Sequence, residues 1–352
     1  MLFGGCSPEH TVSLQSAYSV ISHIDTVKYE PVLLGINASG EWFLFSGGLE
    51  KIKNGTWDNP ADCLHAIISP DRKTRGVLIF ENNKVRTIRL DAGFPVLHGK
   101  NGEDGTIQGL LALAGVPVVG CYTLASALSM DKDKAHKIAS ATGVLVPRSF
   151  TIKYGAGRAA CLADGKLYDD CPKQAAILGY PLFVKPIKAG SSYGITKVSN
   201  EKELLAAVKL AFQYDDEVIV EENIPGFEIG CAVFGTDDLI VGALDEIELA
   251  GGFFDFKEKY TLETSIIHVP ARIPAELSEE AKKTAMAIYK ALGCSGFARV
   301  DMFITPSGRI VFNEVNTIPG FTAHSRYPNM LKAIGMTFEE IVNKLIESTL
   351  GI

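Results

Sequence analysis

Several features that mark common protein classes are missing from this chain of 352 residues. None of its seven cysteines lies in a C-x-x-C pair, and none of its seven histidines lies in an H-E-x-x-H motif. A disulfide framework, a structural zinc site and a zinc hydrolase are therefore disfavoured, and we expect reduced thiols in a cytoplasmic protein. No uninterrupted apolar run approaches the roughly 20 residues that cross a bilayer, and we expect no signal peptide.

An excess of positive charge is also missing. The net charge is −7, so the chain offers no basic field for nucleic acid or for an anionic membrane. What the chain does have is an ordinary globular composition, 47% hydrophobic and 21% charged. Its length predicts two or three domains with an ample core.

A polar-faced hairpin is the most informative stretch, and it covers residues 296–328. Two strands are joined by a turn at Pro306–Gly308. Side chains two apart share a face of a strand, so Arg299 and Asp301 lie together, as do Glu314 and Asn316. Such a face is often simply solvated. However, two carboxylates and an amide oxygen also suit Mg²⁺.

Two loops rich in small residues are candidates for ligand binding. Gly4 and Gly5 separate a short strand from a helix, with Glu9 at the mouth of that helix. A favourable charge near the helix N-terminus is the alternative role for Glu9. Residues 190–194 join two strands, where Gly, Ser and Ser can lay N–H and hydroxyl groups over phosphates or can form a plain turn. The N-terminal turn lacks G-x-G-x-x-G, which argues against a dinucleotide-binding oxidoreductase.

The order of elements predicts a mixed α/β and α+β protein with three domains. Residues 1–120 show βαβ-like patterning, so we expect an open parallel α/β sheet there. Residues 121–220 form a small central α+β domain. Residues 221–352 form a domain built on a large antiparallel sheet, whose first strand we place at Glu217–Glu222. Ser129, Ser278 and Thr337 are the expected helix caps.

Seven motifs in this order make the chain resemble a known family. They are GGCSPEHTVS (4–13), FPVLHGKNGEDGT (94–106), MDK (130–132), VKPIKAGSSYG (184–194), FFDFKEKY (253–260), ARVD (298–301) and NEVNTIPGFTAHS (313–325). Over nearly its whole length the chain is similar to the D-alanine–D-alanine ligases and their D-alanine–D-serine relatives, which have the ATP-grasp fold. Most of the family's first strand is missing, so we expect a truncated or mis-assigned start. The second Glu of the family's E-x-E-V-S is Thr11 here.

The resemblance implies a nucleotide site between the second and third domains. Asp301, Glu314 and Asn316 would hold two Mg²⁺ ions, with Mn²⁺ as an alternative. The implied ATP ligands are Lys132, Lys185, Ser191, Ser192 and Lys259 at the phosphates, Glu221, Glu222, Ile224 and Phe253 at the adenine, and Glu228 at the ribose.

The resemblance also implies the chemistry. The γ-phosphoryl group of ATP moves to the carboxylate of a first D-alanine, and the amine of a second amino acid attacks the acyl phosphate. Lys259 would neutralise charge, while Arg299 and the N–H of Gly320 would stabilise the oxyanion. The first D-alanine would be held by Glu9.

Other residues complete the implied site. His98 would lie near the first D-alanine. Glu9, Ser191 and Tyr260 would form one hydrogen-bonded set across three domains. Closing the loop that bears Tyr260 would exclude water.

The second substrate is predicted from Phe254 and Arg326, since the D-alanine ligases usually have Tyr and an apolar residue there. Beside Ser325, which would contact the substrate carboxylate, Arg326 would bond the hydroxyl of D-serine, and Asp245 would orient Arg326. The subgroup implies altered peptidoglycan ends, vancomycin resistance and a homodimer. Intact Lys259 and Tyr260 argue against D-lactate. The alternatives are an Arg326 bonded only to the fold, a housekeeping D-alanine–D-alanine ligase, and a catalytically idle nucleotide-binding protein.

Overall fold

A computed structural model describes residues 1–153, 170–249 and 265–352 of the chain. In this part the strands form three sheets, of seven, four and five strands. The combination agrees with the predicted α/β and α+β class. Within the same ranges, no helix combines the length and the apolar composition needed to cross a membrane. Four predicted site residues lie outside the described residues: Phe253, Phe254, Lys259 and Tyr260.

The N-terminal sheet contains seven strands. They are β1 (Leu2–Gly4), β2 (Leu34–Ile36), β3 (Trp42–Phe45), β4 (Cys63–Ile68), β5 (Gly76–Glu81), β6 (Lys84–Arg89) and β7 (Pro95–Val96). Their order is β6-β5-β4-β3-β2-β1-β7. Three helices belong to this region: α1 (His10–Ile21), α2 (Leu49–Lys53) and α3 (Thr106–Ala114).

This first sheet is mixed rather than wholly parallel as predicted. β1 pairs in parallel with β2 and β7, but β2 to β6 pair antiparallel with one another. Short connections account for three of these four antiparallel pairs, because parallel neighbours need a long crossover. The exception is β3 and β4, which are joined by residues 46–62, including α2. Between β5 and β6, for example, Asn82 and Asn83 adopt φ values of 49° and 59°, which suits a tight hairpin turn. Residues 116–119, which are also strand-like in sequence, form only a single bridge, between Gly93 and Val118.

The central sheet has four antiparallel strands. They are β8 (Ser149–Lys153), β9 (Leu182–Pro186), β10 (Thr196–Val198) and β11 (Glu217–Glu222), in the order β10-β9-β11-β8. The neighbouring helices are α4 (Thr123–Met130), α5 (Lys132–Ala141), α6 (Asp170–Leu178) and α7 (Glu201–Ala211). The predicted hairpin around residues 190–194 is confirmed, because β9 and β10 pair antiparallel on either side of it.

The strand β11 was predicted to open the C-terminal sheet, and this was wrong. It pairs with β8 and β9 instead, and Val218 and Val220 pack in the core shared with α7. Its three consecutive apolar residues, 218–220, fit a buried strand of any sheet, so the pattern alone does not decide which sheet it joins. The domain limits at residues 120 and 220 stay a prediction, and β11 runs across the second of them.

The C-terminal sheet has five antiparallel strands. They are β12 (Phe227–Phe234), β13 (Ile240–Leu249), β14 (Ser265–His268), β15 (Phe297–Ile304) and β16 (Ile310–Asn316), in the order β14-β13-β12-β15-β16. Three helices accompany it: α8 (Ala275–Ala291), α9 (Arg326–Lys332) and α10 (Phe338–Leu350). Ala281, Ala285 and Ile288 of α8 are fully buried against one face of the sheet.

Helix starts were predicted with mixed success. Thr337 forms the expected capping box with Glu340. Ser129 does not cap α5, because the Asp131 side chain accepts from the N–H of Lys134 at 3.0 Å. Ser278 lies inside α8, which begins after Pro274. In both errors the predicted serine lies close to the N-terminus of the helix, but another residue occupies the N-cap position.

Candidate active site

The polar hairpin face exists as predicted. In the register of β15 and β16, Arg299 lies opposite Asn316 and Asp301 lies opposite Glu314. Asp301 accepts hydrogen bonds from Arg299 Nε at 2.8 Å, Arg299 Nη2 at 2.7 Å and Asn316 Nδ2 at 2.8 Å. A solvated face is excluded, because the Asp301 side chain is only 1% exposed. Burial works against the charged guanidinium, but Asp301 holds the pKa of Arg299 above its usual value.

The donor atoms of this face suit a divalent cation. Glu314 and Asp301 supply carboxylate oxygens and Asn316 supplies an amide oxygen, the hard ligands that Mg²⁺ prefers. Lys132 Nζ lies 3.6 Å from Glu314 Oε2 and offsets part of the negative charge. Among the residues that the structure describes, no group of three or more His, Cys, Asp and Glu side chains could hold a metal. The predicted site therefore depends on Asn316 as its third ligand.

A cavity of about 510 Å³ lies between the central sheet and the C-terminal sheet. Seven residues predicted to bind ATP line it, together with the predicted metal ligand Glu314. The seven are Lys132, Lys185, Ser192, Glu221, Glu222, Ile224 and Glu228. The volume and the lining match a small-molecule site placed where the nucleotide was predicted.

Two lysines extend into this cavity from opposite elements. Lys185 Nζ lies 2.6 Å from Glu221 Oε2, and Lys132 Nζ donates to the carbonyl of Ala189 at 2.9 Å. Burial favours the neutral form of Glu221, but the charge and hydrogen bond of Lys185, together with neighbouring positive groups, outweigh burial and lower the pKa of Glu221. The Glu221 side chain thus orients Lys185, a role that the sequence did not predict. Glu222 instead turns its side chain to Arg148, 2.8 Å away.

Glu9 joins the N-terminal region to the phosphate loop. The Ser191 hydroxyl donates to Glu9 Oε1, as predicted for the first two members of the three-residue set. Glu9 is buried and precedes α1 without a capping bond from its side chain. Its position at the helix N-terminus is also the one that the alternative role, a favourable charge there, requires. Gly99 and Gly190 allow its close approach, since a Cβ at either position would lie 2.3 Å or 3.2 Å from Glu9 Oε2.

His98 is fixed by a chain of hydrogen bonds to the C-terminal region. Its Nδ1 lies 2.9 Å from the Ile318 carbonyl, and its Nε2 lies 3.0 Å from Ser16 Oγ. Ser16 Oγ in turn accepts from the Phe321 N–H at 3.2 Å. Burial lowers the pKa of His98, so the neutral ring donates from Nδ1 and accepts at Nε2. His98 therefore holds the loop around Gly320 through both ring nitrogens. This role was not predicted, since the sequence only placed His98 near the first D-alanine.

Glu103 makes a parallel connection that was not predicted. Its carboxylate accepts from the Gly99 N–H at 2.8 Å and from the Ile318 N–H at 3.2 Å. Burial and the nearby charge of Glu9 raise the pKa of Glu103 to about 8. The charged, glycine-rich loop that contains Glu103 was the signal available in the sequence. For Ser16 there was no such signal.

Arg326 lies in a cluster of carboxylates. Its Nε and Nη2 bond Asp245 at 2.6 and 2.8 Å, and its Nη1 bonds Glu228 at 2.9 Å. Its Nη2 also lies 3.5 Å from Asp301 Oδ1. The predicted orientation of Arg326 by Asp245 is confirmed, whereas the link to Glu228 was not foreseen. Burial opposes the charge, but these carboxylates raise the pKa of Arg326 well above its usual value.

Gly320 and Ser325 lie together beside this cluster. A Cβ on Gly320 would lie 2.9 Å from Ser325 Oγ, so a side chain there would press on the serine. Ser325 Oγ accepts from the Thr322 N–H at 2.9 Å. The predicted oxyanion group and the predicted carboxylate ligand are therefore neighbours on one loop.

Comparison with known proteins gives consistent matches along the chain. The family models described as "D-ala D-ala ligase N-terminus" and "D-ala D-ala ligase C-terminus" match residues 1–121 and 163–347. The vancomycin B-type resistance protein VanB of Enterococcus faecalis is 44% identical over 351 residues, 98% of this chain and 96% of VanB. A putative D-alanine–D-lactate ligase of Streptomyces coelicolor is 42% identical over 355 residues, 99% of this chain and 96% of that protein.

The solved structures extend this likeness to three dimensions. The crystal structure of the VanG D-Ala:D-Ser ligase from Enterococcus faecalis is similar with a TM-score of 0.89 and 55% sequence identity. The match covers 99% of this chain and 98% of that one. It confirms the predicted fold class.

Proposed function

This chain belongs to the D-alanine–D-alanine ligase family of ATP-dependent peptide ligases, and on that premise we propose that it joins D-alanine to D-serine. The relatives named for vancomycin resistance support a D-alanine ligase of the resistance type. The dipeptide would enter a peptidoglycan precursor with an altered end. We place the enzyme in the cytoplasm, in keeping with seven cysteines that show no C-x-x-C spacing. The homodimer is what the resemblance to the family implies.

ATP would occupy the cavity between the central and C-terminal sheets. Lys132 and Lys185 are positioned to offset the charge of its phosphates, and the loop of Ser191 and Ser192 would cover them. Asp301, Glu314 and Asn316 would hold Mg²⁺, or Mn²⁺, which neutralises phosphate charge when two anions must meet.

The first step makes D-alanine reactive. Its ammonium would bond Glu9, and its carboxylate oxygen would attack the γ-phosphorus of ATP, which releases ADP and forms an acyl phosphate. Glu9 is held by Ser191 of the loop proposed to cover the phosphates, so both substrates of this step share one support. Such positioning supplies much of the barrier reduction in phosphoryl transfer.

The second step forms the peptide bond. The amine of the second amino acid attacks the acyl carbon, and the developing oxyanion would be stabilised by Arg299 and the Gly320 N–H. Collapse of the tetrahedral intermediate breaks the carbon–oxygen bond to phosphate, which departs. Asp301 holds Arg299 through two hydrogen bonds, so the guanidinium is oriented before the substrate arrives.

The choice of D-serine depends on one observation, the buried ion pair of Arg326 and Asp245 next to Ser325. This pair gives a polar wall to the region where the second substrate is expected. A methyl group packed on it gains nothing, whereas a hydroxyl can bond it, because Nη1 has two N–H groups and Glu228 takes one. A site built to bond a hydroxyl discriminates strongly against the substrate that lacks it.

A phosphate-release assay tests this proposal. Purified enzyme with ATP and Mg²⁺ is given D-alanine alone, and then D-alanine with D-serine, and the dipeptide is identified by mass spectrometry. We expect D-Ala-D-Ser as the main product. Equal efficiency with D-alanine as second substrate would contradict the proposal.

A D-alanine–D-alanine ligase is the second candidate. It is favoured by the observation that the hydrogen bonds of Arg326 within the described residues go to Asp245 and Glu228, as an arginine bonded only to the fold would do. The same assay separates the two, because this candidate predicts D-Ala-D-Ala as the main product in the presence of both amino acids.

A further inference from the structure

His136 lies behind the nucleotide cavity and connects two of the elements around it. It belongs to α5, is 3% exposed, and its Nε2 lies 2.7 Å from the carbonyl oxygen of Asn313 in β16. A carbonyl oxygen can only accept, so Nε2 carries the hydrogen. In a neutral ring, Nδ1 then presents a lone pair.

That lone pair faces a carboxylate. His136 Nδ1 lies 3.7 Å from Glu221 Oε1, and within the described part of the chain neither buried atom has a hydrogen-bond partner. The other oxygen of Glu221 is bonded by Lys185. Two buried acceptors that face each other are unfavourable, and a proton on Nδ1 would turn the contact into an ion-paired hydrogen bond.

Burial, assisted by two lysine charges, keeps the ring of His136 neutral without nucleotide. Burial, and then Lys185 from β9 and Lys132 from α5, lower the pKa of His136, whereas Glu221 from β11 and the bond to Asn313 raise it. Phe312 of β16 packs against the imidazole, with 5.4 Å between the two ring centroids. Both lysines line the cavity and are the proposed phosphate ligands.

We propose that His136 takes up a proton from solvent at Nδ1, and keeps it there in a hydrogen bond to Glu221, when nucleotide phosphates bind Lys132 and Lys185. This inference rests on the nucleotide site of the proposed function. The phosphates cancel the positive charge that opposes the imidazolium, and they compete with Glu221 for Lys185. His136 then keeps the buried carboxylate paired, so it acts as a positioning residue for Glu221 while Lys185 serves the phosphates.

Calorimetry of nucleotide binding tests the proposal. The β,γ-imido analogue of ATP is titrated with Mg²⁺ into the enzyme at about pH 7, in two buffers of different ionisation enthalpy, which gives the number of protons taken up. The matched variant is His136→Gln, which can keep the donor to the Asn313 carbonyl but has no group that titrates. His65→Gln, on the exposed side of β4, is the control.

We expect the wild type and His65→Gln to take up more protons than His136→Gln, by up to about one per site. Wild-type affinity should also rise as the pH falls, by up to about tenfold per pH unit, and this slope should be lost in His136→Gln. Equal proton uptake in all three proteins, with binding intact, would overturn the inference and leave the proposed function standing. If none of the three proteins binds the analogue, the proposed function is overturned, and the inference with it.

A second measurement needs no substitution at all. In protein labelled with ¹³C at histidine Cε1, the His136 resonance should move from the neutral toward the imidazolium position when the analogue is added. A resonance that stays neutral at saturation would overturn the proposal, even where His136→Gln fails to fold.

Discussion

Arg326 and Asp245 form a two-bond ion pair at 2.6 and 2.8 Å, with side chains that are 7% and 0% exposed. They are 81 positions apart in the chain and come from α9 and β13. Such a pair fixes the position of α9 on the C-terminal sheet. Its removal should therefore affect both the stability of the fold and the choice of second substrate.

Replacing Arg326 by leucine should cost about 3–5 kcal/mol of unfolding free energy, because Asp245 and Asp301 lose a buried cation. Denaturant unfolding measures this loss. Selectivity for D-serine over D-alanine should fall by about 1–3 kcal/mol in kcat/KM, as for a lost polar contact. Arg272→Leu is the matched control, since its side chain is 51% exposed, and we expect a loss of about 1 kcal/mol or less.

The double variant Asp245→Asn, Arg326→Leu separates the two effects. It removes one uncompensated charge, so its stability should exceed that of Arg326→Leu alone, while selectivity stays low. If selectivity for D-serine were unchanged in Arg326→Leu, the residue would be bonded only to the fold.

Gly99→Ala should remove most activity, because its Cβ would lie 2.3 Å from Glu9 Oε2 and would displace the proposed ligand of the first D-alanine. We expect kcat/KM for D-alanine to fall by about 100-fold, the scale of an approximately 1 Å misplacement. Steady-state kinetics at saturating ATP measures it.

Gly143→Ala is the control for backbone strain. Both glycines have positive φ, 74° and 87°, but a Cβ at Gly143 meets no atom within 4 Å. The control should lose stability and keep its KM for D-alanine. A similar kinetic defect in both variants would mean that strain, rather than the contact with Glu9, is responsible.

Glu103→Gln should change how stability depends on pH. Burial raises the pKa of this carboxyl to about 8, far above its unfolded value, so the folded state binds the extra proton between about pH 4.5 and pH 8. Over that window the wild type loses stability from this group as the pH rises, by at most about 1.4 kcal/mol per pH unit. Unfolding of both proteins at several pH values should show a smaller decline in the variant. Parallel curves would contradict the raised pKa.

Ser191→Ala tests the link from Glu9 to the phosphate loop. It removes the hydroxyl that donates to Glu9, and we expect kcat/KM for D-alanine to fall about tenfold, which corresponds to a charge-assisted hydrogen bond. The exposed Ser199, which follows β10, offers the control substitution Ser199→Ala. If Ser191→Ala affected only thermal stability, the link would have no part in binding the first substrate.

Local pattern was sufficient to predict some of these relationships. Alternation along each strand was enough to put Arg299 with Asp301 and Glu314 with Asn316. Asp301 lies opposite Glu314, however, only because the register shifts between Asp301 and Met302, which the sequence did not predict. The capping box of Thr337 and Glu340 is equally local. The sheet of β11 was mispredicted because its partners β8 and β9 are chosen by packing between distant parts of the chain. The first sheet was predicted as wholly parallel although three of its strand connections are short.

The contacts that carry the new proposals are also long-range. Glu221 and Lys185 are in adjacent strands of one sheet, yet their pairing depends on the register of β9 against β11. His98 and Ile318 meet across 220 positions. The resemblance supplied the site residues, but it could not supply these partners, since hydrogen-bond geometry is fixed only by the assembled fold.

The bonds of His98, Ser16 and Glu103 have a consequence for how substrates enter. They clamp the N-terminal region to the loop of Gly320, and a continuous core that includes Phe94, Phe297 and Phe321 reinforces the clamp. The proposed pocket for the first substrate and the loop of Gly320 should therefore move together as one rigid unit. The cleft would then open by movement of the central sheet, which would rotate away from the other two sheets when the hydrogen bond between Ser191 and Glu9 breaks.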